Sequence, residues 1–304
     1  RAHAVGRRDG VGPELDRVLV QDQEAQPDGR GERQARAAER RIPLHPPQEG
    51  QQQGPPLVVN IQYVKDLSFE VPGAPEIFAT LREQPRIDLI LATGDLSQDG
   101  SVASYQRFRQ LAERIEAPAR WCPGNHDELG AMREAARGSA LMEPVLEIGG
   151  WRVVMLDTLV AGSVFGMLRG DQLDLLERAL SEAPDHHHLV CLHHHPVSIG
   201  SRWMDRIGLR NPEALFEVLD RHDNVRALLW GHIHQAFDQS RNGVRLLATP
   251  STGVQFTPQS EDFQVDSAAP GYRWLRLYAD GRLETDVSRV SGIDFEIDYS
   301  VKGY

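Results

Sequence analysis

Only two cysteines occur in the 304 residues, Cys122 and Cys191, each inside an apolar segment. They allow one bridge at most, so no disulfide framework holds this fold, and buried reduced thiols in a cytoplasmic protein are the expected state. No run of about 18 apolar residues occurs, so no membrane-spanning helix is expected. The polar N-terminus lacks the apolar stretch of a secretory signal. Positive charge is in deficit: 33 Lys and Arg stand against 44 Asp and Glu, a formal net charge of −11. That balance speaks against a broad nucleic-acid-binding surface. What is present is apolar material, 40% of the residues, enough for one large α/β domain or two smaller ones.

The composition changes along the chain. Residues 1–56 balance nine arginines against nine acids, are nearly free of aromatics, and hold no helical or strand period for long. They are expected to be disordered or a non-native segment, with Gln48–Pro56 as linker. Residues 57–70 read as a strand, alternating Val58, Asn60 and Gln62 against Val59, Ile61 and Tyr63. From Arg86 the pattern is regular. Apolar strands at 87–92, 119–122, 151–156, 188–192 and 225–230 alternate with amphipathic helices, one capped by Ser101 and one starting at Asn211-Pro212. Strands at 244–248, 272–278 and 283–290 follow without helices between them, the last two joined by an Asp280-Gly281 turn. Alternation argues α/β, and the late strands argue that part of a sheet is mixed. The triplet His186–His188 reads as a solvated turn.

Four of the strands end in residues able to bind a cation. Gly94-Asp95 follows the first, Gly124-Asn125-His126-Asp127 the second, His193-His194-His195-Pro196 the fourth and Gly231-His232-Ile233-His234 the fifth. A carboxylate, an amide and imidazoles suit a divalent first-row transition metal, Fe, Mn, Zn or Co, held by oxygen and nitrogen. In open α/β sheets such groups gather at the carboxyl ends of strands. Taken singly, Asp95 and Asn125 would read as turn or helix caps; the ordered set makes them ligand candidates. His194 and His195 read as supporting or packed groups, Asp127 and Glu128 as loop orienters, and Asp157 as structural.

The ordered set resembles the calcineurin-like metallophosphoesterase superfamily over residues 83–304. Within it, the stretches LILATGDLSQDG (89–100), PGNHDE (123–128), LHHHP (192–196), GHIHQ (231–235) and LLATPSTGVQFTP (246–258) look most like bacterial class III cyclic-nucleotide phosphodiesterases. The resemblance implies a two-sheet sandwich flanked by helices, with the metal site at the C-terminal ends of the strands. It implies two metals bridged by Asp95, with Asn125, His193 and His232 completing one and His234 serving the other. It makes His126 the catalytic residue that contacts the phosphate and assists the leaving oxygen. The implied substrate is a small-molecule phosphodiester, 3′,5′-cyclic AMP in particular, and neither a nucleic acid nor a membrane is an expected partner. No motif speaks for or against self-association.

The family's opening motif, Asp-x-His, is absent upstream of Gly94-Asp95. Asp66-Leu67-Ser68 stands nearest to it, and a neutral serine hydroxyl is a poor ligand in place of imidazole. The surrounding QYVKDLSFEVPGAPEIF (62–78) instead resembles the first strand and turn of SecB-type export chaperones, which makes residues 57–82 an atypical first strand and connection. One well-formed metal site and one weakened site are therefore expected. A generic or glycerophosphodiester phosphodiesterase is the nearest rival reading. An inactive truncated or chimeric protein that binds a metal or nucleotide is another, and strand addition of residues 57–82 to a partner chain a third.

Overall fold

The computed structural model describes residues 88–292 in full, together with the backbone of three strand segments, Ala4–Val5, Leu57–Ile61 and Glu296–Ile297. The expectations about residues 1–56, the chaperone-like stretch 62–78 and the pair Asp66 and Ser68 fall outside the described residues, apart from Ala4–Val5, which pairs antiparallel with Glu296–Ile297.

Short apolar runs become strands buried on both faces, because helices cover each sheet's outside and the sheets cover each other. β1 (Leu57–Ile61), β2 (Leu89–Ala92) and β3 (Ala119–Trp121) run parallel. β12 (Gly271–Leu277) pairs antiparallel with β1, and β13 (Leu283–Arg289) with β12, giving a five-stranded sheet in the order β13-β12-β1-β2-β3. The second sheet has six strands. Its parallel centre is β5 (Trp151–Met155), β6 (His187–Leu192), β7 (Val225–Trp230) and β9 (Val244–Ala248), edged by antiparallel β4 (Val145–Ile148) and β8 (Phe237–Arg241). A two-stranded ribbon, β10 (Gln255–Phe256) with β11 (Val265–Asp266), lies between β9 and β12 in the chain.

Period-two alternation distributes the side chains into three cores. Leu89, Leu91 and Cys122 face Val153, Met155, Leu189, Cys191 and Leu229 between the sheets. Ile90, Ala92 and Trp121 turn outward against α1 (Val102–Glu113) and α2 (Leu129–Ala135) through Tyr105, Phe108 and Met132. Val154, Val190, Leu192 and Leu228 turn the other way, against α3 (Gly170–Ser181) and α5 (Pro212–Leu219) through Leu176, Leu180 and Leu215. The short α4 (Arg202–Asp205) lies between α3 and α5 in the chain. The expected two-sheet sandwich flanked by helices is what forms, and both of its sheets, not one, are mixed. All the parallel strands point their C-terminal ends one way, so the turns after β2, β3, β6 and β7 meet at one end.

Two local expectations are corrected. His188 is not in a solvated turn: it is fully buried on β6, its Nε2 bonded to the Ala183 carbonyl at 3.0 Å. Asn211 sits at the N-cap of α5, but its side chain does not cap the helix. It bridges to α3's approach instead, accepting from Leu168 N–H and donating to Leu168 C=O at 2.9 and 2.8 Å.

Candidate metal centre

The site is built where strands stop. After β2 the chain turns through Gly94 at φ +97° and Asp95 at φ 56°; after β7, His232 and His234 adopt φ 62° and 51°. Left-handed backbone at three non-glycine residues of one cluster is the kind of strain that persists only where the surroundings hold it. Glycine is required at two places for space. A Cβ on Gly124 would run into the Asp95 carboxylate, and one on Gly94 into the His193 ring. The glycines before Asp95 and Asn125 thus each make room for another candidate ligand's side chain.

Four of the five expected metal ligands meet at one point. Around His193 Nε2 stand Asn125 Oδ1 at 3.2 Å, His232 Nδ1 at 3.2 Å and Asp95 Oδ2 at 3.4 Å. The far side of each imidazole fixes its tautomer. His193 Nδ1 lies 2.7 Å from the Thr93 carbonyl, and His232 Nε2 lies 3.1 Å from the Ile207 carbonyl. A carbonyl only accepts, so those nitrogens carry the hydrogens and the facing nitrogens present lone pairs. With both rings neutral, two imidazole lone pairs, an amide oxygen and a carboxylate oxygen thus converge, and a proton on His193 Nε2 facing Asp95 is the alternative to a metal there. The arrangement is repulsive until a positive charge enters it, and it fits a divalent cation by donor type and by the backbone bonds that orient each ring.

The electrostatics agree. Burial by itself raises the Asp95 pKa, but His193, and then His126, pull it well below the usual carboxylate range. Burial by itself lowers His193, but the Asp95 charge and hydrogen bond leave it raised. His232 is pushed far down by burial and by the neighbouring imidazoles, so it stays neutral. His194, expected to support or pack, lies in the same knot. Ligand atoms of His193, His194 and His232 are all within 4.8 Å of one another, and His194 Nδ1 is 2.8 Å from Thr158 Oγ1. His195 stacks on His232 with ring centres 5.6 Å apart and faces Asp205 at 3.6 Å.

The fifth expected ligand, His234, is buried too, with Nδ1 2.8 Å from the Val254 carbonyl and its ring parallel to Phe256. His126 is half-buried. Its backbone N–H donates to Asp95 Oδ1 at 2.9 Å, and its Nδ1 lies 3.5 Å from Gln98 Nε2. Asp127 does orient the loops, and more than expected. Its carboxylate accepts from Ser97 N–H (3.1 Å), Gly124 N–H (2.8 Å) and Tyr105 O–H (3.0 Å), tying the Asp95 turn to the Asn125 turn. Burial, with the Asp95 charge, pushes its pKa up to about 7. Glu128 caps α2 through Gly130 and Ala131 N–H. No motif marks Gln98, Tyr105 or Ile207. Tyr105 falls on the buried stripe of α1, and a carbonyl such as that of Ile207 leaves no trace in side-chain identity.

Comparisons with known proteins agree with the geometry. The family model for calcineurin-like phosphoesterases matches residues 66–236. The 3′,5′-cyclic adenosine monophosphate phosphodiesterase CpdA of Pseudomonas aeruginosa is 60% identical over 223 residues, covering 73% of this chain and 82% of that protein. Its counterpart from Escherichia coli K12 is 45% identical, with 73% and 81% covered. Among solved structures, a dimetal phosphatase from Danio rerio superposes with a TM-score of 0.50 at 16% identity, covering 78% of this chain and all of that one. GAP50 from Plasmodium superposes with a TM-score of 0.56 at 13% identity, covering 79% and 86%. At such identities the two structures speak for the fold alone.

Proposed function

Because this chain belongs to the calcineurin-like phosphoesterase family, we propose that it is a metal-dependent phosphodiesterase that hydrolyses 3′,5′-cyclic AMP. The observation that carries the reading is the convergence of Asp95 Oδ2, Asn125 Oδ1, His193 Nε2 and His232 Nδ1 on one point. The substrate follows from the relatives that are 60% and 45% identical to this chain over 223 aligned residues and are phosphodiesterases of that nucleotide.

Those four atoms would hold one divalent cation, and Asp95 with His234 would serve a second, weaker one. Fe, Mn, Zn and Co all suit this donor set. Bound cations supply charge for the phosphoryl oxygens and lower the pKa of water towards ~7. The protein's own residues do the rest. Thr93 and Ile207 carbonyls keep His193 and His232 turned inward as neutral donors. Asp127 fixes the spacing of the Asp95 and Asn125 turns. His126, anchored through its backbone to Asp95, stands at the rim of the site and delivers a proton to the departing ribose 3′ oxygen. Water adds to phosphorus, the P–O3′ bond breaks, and 5′-AMP leaves.

Residues 83–304 form the catalytic domain, and 57–82 supply its atypical first strand and connection; the support is Leu57–Ile61, seated between β12 and β2. No helix among the described residues is long and apolar enough to cross a membrane, and both cysteines are free and buried, in keeping with work in the cytoplasm. The absent Asp-x-His favours one rival, an inactive truncated or chimeric chain that binds a metal or nucleotide without turnover. Turnover of cyclic AMP and of a chromogenic aryl phosphodiester, with Mn²⁺ added to metal-stripped protein, separates the readings. Preference for cyclic AMP supports the proposal, and a large gain in Ser68→His marks the first motif as damaged. Hydrolysis of neither compound by either protein contradicts it.

A further inference from the structure

His234 is held differently from His193 and His232. Those two imidazoles pack in a knot with His194 and His195, ring against ring. The ring beside His234 is a phenyl: Phe256 lies parallel to it, interplanar angle 2°, centroids 4.2 Å apart. Phe256 also bonds the His234 backbone, its N–H donating to the His234 carbonyl at 3.3 Å. The bond from His234 Nδ1–H to the Val254 carbonyl sets the tautomer, but of itself that bond does not restrain the freedom of the ring to tilt about it. A face-to-face phenyl removes that freedom. Phe256 is itself fixed by two edge-to-face contacts, whose partners also meet each other. Trp203 meets it at 5.2 Å and 76°, Phe263 at 5.3 Å and 65°, and Trp203 meets Phe263 at 5.2 Å. Trp203 is pinned in turn by Nε1–H donation to Ser260 Oγ at 3.0 Å.

From this geometry we infer that Phe256 is the positioning residue of the second, weaker cation site, acting through the His234 ring, with Trp203 as its buttress. The inference rests on the reading of His234 as a ligand of that site. A site with few ligands gains most from having each one aimed in advance, because the rotamer cost of ordering the imidazole is then met on folding rather than on binding. His232 needs no such device, since the Ile207 carbonyl and the stacked His195 already hold it. The segment after β6 thus serves both histidines of Gly-His-x-His, Ile207 fixing one and Trp203, through Phe256, the other.

The test is a Co²⁺ titration of metal-stripped full-length protein, followed by visible absorption, with thermal melting recorded for every variant. Wild type is expected to bind in two steps, and His234→Ala to lose the weaker one. Phe256→Leu is expected to weaken the second step by about 10–100-fold while the first moves by less than about twofold; Phe256→Tyr, which keeps the ring, retains both. An unchanged second step in Phe256→Leu overturns the inference. So does equal weakening of both steps, which is what mere loosening of the fold produces. Should His234→Ala titrate like wild type, the ligand reading falls and the inference with it. If Phe256→Leu does not fold, Trp203→Ala carries the same comparison at a half-buried position, with a several-fold loss confined to the second step expected and no selective loss overturning it.

Discussion

The carbonyl oxygen of Thr93 lies 2.7 Å from Nδ1 of His193. That one contact decides which nitrogen of a buried imidazole faces Asp95, Asn125 and His232, and so whether the cluster repels itself or binds a cation. A proton on His193 Nε2 is the rival to the metal, and the adjacent Asp95 raises the pKa at which it is lost. Metal binding must therefore release a proton, and affinity must fall as pH is lowered. Calorimetric titration with Mn²⁺ in buffers of different ionisation enthalpy checks this. Proton release that grows from pH 8 to pH 6 is expected.

Asp127 accepts three hydrogen bonds from two site loops and α1. Asp127→Ala leaves three buried donors without an acceptor, at about 1–3 kcal/mol each before relaxation. The expected result is a lowered melting temperature together with a kcat loss of about tenfold or more. Asp127→Asn, which keeps one acceptor oxygen, falls between.

The sheet strands and the four ligand turns were legible because each depends on local signals: apolar runs ended by glycine and a polar donor. Val225–Trp230 and Val244–Ala248 coincide with their expected bounds to the residue. The edge strands of the second sheet were not legible. β4 is only four residues long and β8 is polar and exposed, and each forms by pairing along the open edge of Trp151–Met155 or Val244–Ala248. His188 failed for a related reason. A histidine triplet signals solvent by composition, while its place on β6 and the Ala183 carbonyl pull the third member inside. What holds the site together was the least visible, since the Thr93 and Ile207 carbonyls and the Phe256 stack are relations across the fold rather than motifs.

His188 should shape the acid limb of stability. Burial lowers its pKa from 6.5 to about 4, against the opposing bond to the Ala183 carbonyl. Between those values the unfolded chain binds a proton that the folded chain refuses, so stability is present above about pH 6.5 and is lost as pH falls towards 4. The contribution is about 3 kcal/mol at most. Denaturant unfolding from pH 7 to 4 should show a shallower decline in His188→Gln than in wild type.

Arg273 is 3% exposed, and its guanidinium donates to the Ala248 carbonyl (2.8 Å), the Phe237 carbonyl (3.1 Å) and Thr285 Oγ1 (3.1 Å). It pins the two sheets together where the strand ends meet. Arg273→Ala leaves two carbonyls and a cavity, an expected loss of about 2–4 kcal/mol by chemical denaturation. Arg273→Lys, with fewer directed donors, should recover only part of it.

Catalysis depends on a cation at the meeting point of Asp95, Asn125, His193 and His232. The decisive measurement is cyclic AMP turnover by metal-stripped protein as Mn²⁺ is added, in wild type and in His193→Ala. Turnover that rises with bound metal in wild type and is lost in His193→Ala is the predicted result; hydrolysis that persists in excess chelator, or that His193→Ala leaves intact, contradicts it.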